Sequence, residues 1–256
     1  MISYMKEKKD QIVLINRCCR PENLDKIVDS ILKLRQQLDD NGGKLIKLYH
    51  IVIFDKYKVS YEEIAEARNL LRERYDMELT INWWFEFRGG KEGCNHGATM
   101  LVQFASNLMS RFAEDFNPWL YILDDDNIIH PEFYKILLDH TEDDSVVIFG
   151  QRRKMDYFAG YEATPVLDSI LTRENMYIGA DGQLTDDLFA LNVFDATRHP
   201  DSAQFLLRYE FLMENGNYED VHYFNDHATI WKLYTTHPDK FVFDTRVAAY
   251  YNELED

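Results

Sequence analysis

Cysteine is scarce in this 256-residue chain: there are three, Cys18, Cys19 and Cys94. An odd number with two adjacent members does not make a disulfide scaffold, and it fits a reduced compartment better. No spacing of cysteine and histidine suits zinc. Positive charge is also short, with 28 Lys and Arg against 45 Asp and Glu and a formal net charge of −17. That balance argues against a general nucleic-acid binder and against electrostatic docking on an anionic leaflet. An acidic chain that handles a polyanion needs a local offset, either a metal ion or a few placed arginines. Long apolar runs are missing too, since none approaches the roughly 18 residues of a membrane helix. The opening "MISYMKEKKD" is charged and lacks a signal-peptide core. These absences lead us to expect a cytoplasmic protein, or one held peripherally at the inner face of a membrane. There is no internal repeat and no low-complexity linker.

What the chain does have is 46% hydrophobic and 14% aromatic residues, enough for one large α/β domain. Short apolar runs alternate with helical patterns. "QIVLIN" (11–16), "LYHIVIFD" (48–55), "ELTINWWFEF" (78–87), "WLYILDDD" (119–126) and "SVVIFGQ" (145–151) read as strands. Between them lie helical stretches beginning near Pro21, at 61, after Gly97 and near Pro131. Near-continuous apolar strands alternating with helices predict a three-layer α/β/α architecture with a mostly parallel sheet. After about residue 151 the pattern loosens. There, 201–216 and 219–236 read as helices and 240–252 as a terminal strand or hairpin.

Ligands of open α/β sheets bind beyond the carboxyl ends of the strands. Those ends carry Asn16 with Arg17 and Arg20, then Asp55, then Gly93 to Gly97, then Asp124, Asp125 and Asp126. Three adjacent carboxylates repel one another and need a reason to persist. Capping a helix N-terminus is one, with Pro131 as an early helical residue. A calcium loop fails, because Ile129 stands where glycine is needed and Lys135 where glutamate is needed. A D-x-D of the dehalogenase-phosphatase kind requires the first strand of its fold, and this is the fourth. A D-x-D metal site for a nucleotide sugar remains, with a divalent ion bridging carboxylate and diphosphate.

"INRCCRPENLDKIVDSI", "IVIFD", "GCNHGATMLVQFAS" and "WLYILDDDNIIHPEFY", in that order, resemble successive pieces of the GT-A glycosyltransferases, especially the family 2 type. The resemblance covers 11–151 and implies a single GT-A domain, with a nucleotide-sugar half at 10–151 and an acceptor half at 152–256. It implies transfer of a sugar from a UDP- or GDP-sugar to a carbohydrate or glycolipid hydroxyl, with Mn²⁺ or Mg²⁺ and with inversion. Asp55 resembles the base-contacting aspartate, and Asn95 and Gly97 the turn beside the nucleotide. Asp124 resembles the residue facing ribose and metal, and Asp126 the metal ligand, while Asp125 and Asn16 belong to the donor side. "INRCCR" departs from the family's small polar run, so Arg17 and Arg20 are expected to meet diphosphate or base in an altered way. An arginine fork suits phosphate.

The late pair Glu219-Asp220 in "GNYEDVHYFNDH" resembles the family's catalytic acidic element. Asp220 is the expected general base, with Glu219, Asp186 and Asp187 as alternatives, although acidic residues also simply favour helix starts. A histidine completing the metal shell would be His222, His227 or His237, and His222 is preferred. Trp83, Trp84, Tyr218, Tyr223, Phe224 and Trp231 are core or sugar-stacking aromatics. Arg152 to Lys154 is a solvated charge cluster or a phosphate offset. The competing functions are a phosphohydrolase or nucleotidyltransferase on a related sheet, and a catalytically silent sugar- or nucleotide-binding domain.

Overall fold

A computed structural model describes residues 11–43, 46–55, 58–75, 80–87, 117–140, 145–153, 202–215, 225–251 and 254. The strands are β1 (Gln11–Cys18), β2 (Lys47–Asp55), β3 (Thr80–Phe87), β4 (Trp119–Asp124), β5 (Ile128–Ile129), β6 (Val146–Arg153), β7 (Phe205–Arg208) and β8 (Phe241–Tyr251). The helices are α1 (Leu24–Asp40), α2 (Tyr61–Arg74), α3 (Phe133–Asp139), α4 (Tyr209–Asn215) and α5 (Asn225–Thr236). The strands form one sheet in the order β3-β2-β1-β4-β7-β6-β8-β5. β3, β2, β1 and β4 are parallel, whereas β7 runs antiparallel to both β4 and β6.

β1, β2 and β4 are buried on both faces, as near-continuous apolar strands require. Ile12, Leu14 and Cys18 of β1 pack with Ile27, Ile31 and Leu34 of α1 and Leu71 of α2 on one face. Val13 and Ile15 pack on the other face with Phe211 of α4 and Ile230 and Leu233 of α5. α1 ends at "NGG": Gly42 takes a φ of 91°, which favours glycine, and the Gly43 amide donates to Leu38 O at 2.7 Å. α2 opens with a capping box, in which Ser60 Oγ accepts from the Glu63 amide at 3.2 Å and the Glu63 carboxylate accepts from the Ser60 amide at 2.8 Å. Arg74, at the end of α2, pairs with Asp25 and Asp29 of α1 and ties the two helices together.

Two sequence readings change. The stretch 201–216 is not one helix, because Phe205–Arg208 forms a fully buried strand before α4 begins at Tyr209. A short apolar run fits either element, and the gap between β4 and β6 decides for strand. Pro131 lies in a turn two residues before α3, outside the helix itself. The expected helix after Gly97 lies outside the described residues.

Candidate functional site

β1 and β4 are parallel neighbours, and their register sets Arg17 opposite Asp124. Both strands stop at this level, so their carboxyl ends create a charged rim where the chain turns into α1 and into β5. The Arg17 guanidinium grips the Asp124 carboxylate with two bonds, one of them from Nη2 at 2.6 Å. Such fork-to-fork pairing fixes geometry as well as charge.

Asp125 turns under the rim. Its carboxylate accepts the amides of Cys19 and of Arg20, the latter at 2.7 Å, and Arg20 Nε at 3.1 Å. Its carbonyl accepts Asn23 Nδ2 at 2.9 Å. The triplet therefore does not cap its own following helix. Asp125 instead satisfies the chain leaving β1, just before the turn at Pro21–Asn23 that leads into α1. At 4% exposure it sits inside the loop.

Asp126 receives Arg20 Nη2 at 2.8 Å. Burial and then the like charge of Asp124 raise its proton affinity above the ordinary carboxylate range, against the pull of Arg20. Among the described residues, the three carboxylates of the rim meet two guanidiniums. The Asp126 carbonyl accepts the Leu254 amide at 3.0 Å, bringing the far end of the sequence beside the triplet.

Of the other expected donor-side residues, Asn16 is fully buried and donates from Nδ2 to Leu123 O at 2.8 Å, pinning β1 to β4. Asp55 is 8% exposed at the carboxyl end of β2, one position beyond the pairing of Cys18 with Phe54. Asn16, Arg17, Arg20, Asp55 and the triplet thus share one end of the sheet. His237 does not. It precedes β8, at the opposite end of the sheet from the carboxyl end of β4, and its ring packs edge-on against Phe211 at 5.6 Å. It is removed from the candidate metal shell on that ground. Asn95, Gly97, Asp186, Asp187, Glu219, Asp220 and His222 lie outside the described residues, as do the side chains of Trp83, Trp84, His227 and Trp231.

Asn23 and Leu254 are additions that sequence reading missed. Asn23 had a visible signal, a polar residue just before a helical pattern, but its partner was three strands later in the chain. Leu254 bonds through its main chain and left no signal. A groove of about 600 Å³ runs between the outer face of α1 and β5, lined by Lys33, Gln37, His130 and Tyr250 among others, and contains none of these site residues.

No protein-family model matches the sequence, and no curated protein matches it. Solved structures do match its shape. S. aureus TarS superposes with a TM-score of 0.52 at 13% identity over 94% of this chain and 60% of that one. A longer TarS structure gives 0.50 at 9% identity, over 94% and 36%. The fold is that of the GT-A glycosyltransferases. The bifunctional glycosyltransferase WbbM also aligns over 95% of this chain and 40% of its own, with a TM-score of 0.47 at 11% identity. This GT-A chain spans about 60% of the shorter TarS chain and less of the other two. Among its described residues no helix is long and apolar enough to cross a membrane.

Proposed function

We propose that this GT-A chain is an inverting, metal-dependent glycosyltransferase that moves a sugar from a UDP- or GDP-sugar to a hydroxyl of a carbohydrate or glycolipid acceptor. The observation that carries the reading is the rim itself. In a GT-A fold, Asp124 ends β4 and Asp125 and Asp126 follow it, beside Arg17 near the end of β1 and Arg20 just after it, with Asp55 two strands away. In this reading Asp55 and Asn95 with Gly97 contact the base and nucleotide, and Asn16 braces the floor. Arg17 and Arg20 offset negative charge near the diphosphate. A cytoplasmic place of action, at the inner face of a membrane when the acceptor is a glycolipid, belongs to the same proposal.

Asp124 and Asp126 carry the carboxylate oxygens that a hard divalent cation takes, although both rest on arginines and among the described residues no group of three or more ligating side chains is assembled around them. Asp124 and Asp126 would hold Mn²⁺ or Mg²⁺, with His222 as a further ligand. Bound there, such an ion would supply positive charge to offset the leaving nucleoside diphosphate. On the acceptor side, Asp220 takes the proton of the attacking hydroxyl, with Glu219 as its alternate. The acceptor oxygen forms its bond to the anomeric carbon as the bond from that carbon to the diphosphate oxygen breaks on the opposite face, which inverts configuration.

A silent nucleotide- or sugar-binding domain is the competing reading, and the ion pairs already on Asp124 and Asp126 favour it. Release of UDP or GDP from a panel of nucleotide sugars, in the presence of Mn²⁺ and mixed glycan acceptors, separates the two. Turnover supports the transferase. Saturable nucleotide binding with no release under any combination supports the silent domain.

A further inference from the structure

The side chains of the triplet reach toward the chain around the end of β1, and its main chain is held separately. Each of its three carbonyls accepts a hydrogen bond. Asp124 O takes the Asn127 amide at 3.1 Å, which is the turn closing on itself. Asp125 O takes Asn23 Nδ2 at 2.9 Å, from the turn that leads into α1. Asp126 O takes the Leu254 amide at 3.0 Å, from the chain that follows β8. One bond is local and two come from segments remote in sequence. Both remote donors are anchored. Asn23 is 7% exposed, and its own amide donates to Arg20 O at 3.1 Å. The Leu254 side chain packs against the core on the α1 side of the sheet, so an apolar contact holds its amide in place. A turn as short as the one between β4 and β5 has few bonds of its own, and a shift in it re-aims the side chains it carries.

We infer that Asn23 and Leu254 are positioning residues, two arms of a clamp on the main chain of Asp124–Asp126 that keeps Asp125 turned beneath the rim and Asp126 facing it. The chain after β8 thereby enters the candidate donor site through a main-chain amide. The two arms approach from different sides of the sequence, so the turn is fixed only when α1 and the chain after β8 are both docked. The clamp acts on the carboxylates whatever they hold, and it needs no bound ion. Its effect on a nucleotide rests on the donor reading above; its effect on the turn does not.

The test uses the whole chain and begins without nucleotide, by amide hydrogen exchange read by NMR. The Leu254 amide of the parent should exchange at least about tenfold more slowly than an exposed amide. Leu254→Pro removes that N–H, and Leu254→Ile keeps both the N–H and an apolar anchor. Leu254→Pro should speed exchange of the Asn127 amide and leave that of Ile51, buried in β2, at the parent rate. UDP and GDP are then titrated by calorimetry, with Mn²⁺ and with EDTA. Leu254→Pro should weaken whichever nucleotide binds the parent by about three- to tenfold, the order of one hydrogen bond, and Leu254→Ile should bind as the parent does. An unprotected Leu254 amide in the parent overturns the clamp, whatever the chain does with nucleotides. Equal acceleration at Asn127 and Ile51 shows general loosening and also overturns it. Parent-level nucleotide affinity in Leu254→Pro overturns the positioning role. A protected Leu254 amide in a parent that takes up neither nucleotide overturns the donor reading, and the positioning role with it. Circular dichroism of each variant confirms that the comparison is between folded proteins.

Discussion

Replacing Asp125 with alanine should unfold the protein more readily, and replacing its neighbour Asp126 should not. Asp125 removes two amides and an arginine Nε from water at the junction of β1 and α1. Its truncation leaves the Cys19 and Arg20 amides without an acceptor in a loop only 4% exposed at Asp125. Hydrogen bonds to charged groups are worth about 1.5–3 kcal/mol, and loss of a helix-capping carboxylate costs about 0.5–2 kcal/mol. These overlap, so the expected loss is about 2–4 kcal/mol. For a chain of this size that corresponds to a fall in melting temperature of roughly 5–15 °C. Asp126 holds a bond to a half-exposed arginine and suffers like-charge repulsion, so Asp126→Ala should lie within about 1 kcal/mol of the parent. Urea unfolding followed by far-UV circular dichroism reads both. If Asp126→Ala is destabilised as much as Asp125→Ala, or Asp125→Ala is unchanged, the division between a structural and a ligand-facing carboxylate is wrong.

Three further outcomes are expected. His50 is fully buried against the Tyr75 hydroxyl, 2.8 Å from its Nδ1, and burial lowers its pKa to about 3. The unfolded chain takes up that proton below its ordinary pKa of about 6.5, so stability should fall by about 1.4 kcal/mol per pH unit between about 6 and 4. His50→Gln should remove that part of the slope in urea midpoints measured across pH, and an unchanged slope would assign it elsewhere. Asp55→Ala should weaken UDP or GDP binding and leave Mn²⁺ binding alone unaltered by calorimetry; equal nucleotide affinity places Asp55 outside the site. Asp220→Asn should slow sugar transfer by about 10²–10⁴-fold with donor affinity kept. Parent-level transfer by Asp220→Asn beside a dead Glu219→Gln or Asp187→Asn moves the base.

Much of the first half was legible because β1, β2 and β4 are buried on both faces and write themselves as apolar runs. β1, β2 and β4 sit at or within a residue or two of their expected places, and α1 follows from Leu24, Ile27, Val28, Ile31 and Leu34 at helical spacing. β7 was hidden because "FLLR" continues directly into the helical "YEFLMEN", and its identity as a strand depends on β4 and β6, which are remote in sequence. β5 is two residues long and exists through its pairing with β8, so no local pattern marks it. At the rim, the sequence placed Arg17, Arg20 and the triplet at one end of the sheet, since strand ends follow from strand order. It did not reveal that Asp125 points inward onto the Cys19 and Arg20 amides as well as Arg20 Nε, while Asp124 and Asp126 face the arginine side chains. That division is set by a turn of two residues after β4, in which the Asn127 amide donates to Asp124 O at 3.1 Å. Chemically identical side chains thereby receive different roles.

Nucleotide binding at the triplet decides the donor reading most directly. UDP and GDP should each be titrated into the parent and into Asp126→Ala by calorimetry, with Mn²⁺ and with EDTA. One of the two nucleotides should bind the parent more tightly with Mn²⁺ than with EDTA, and Asp126→Ala, still folded, should lose the difference. Binding by Asp126→Ala with the parent's Mn²⁺ dependence, or no binding of either nucleotide to the parent, would contradict it.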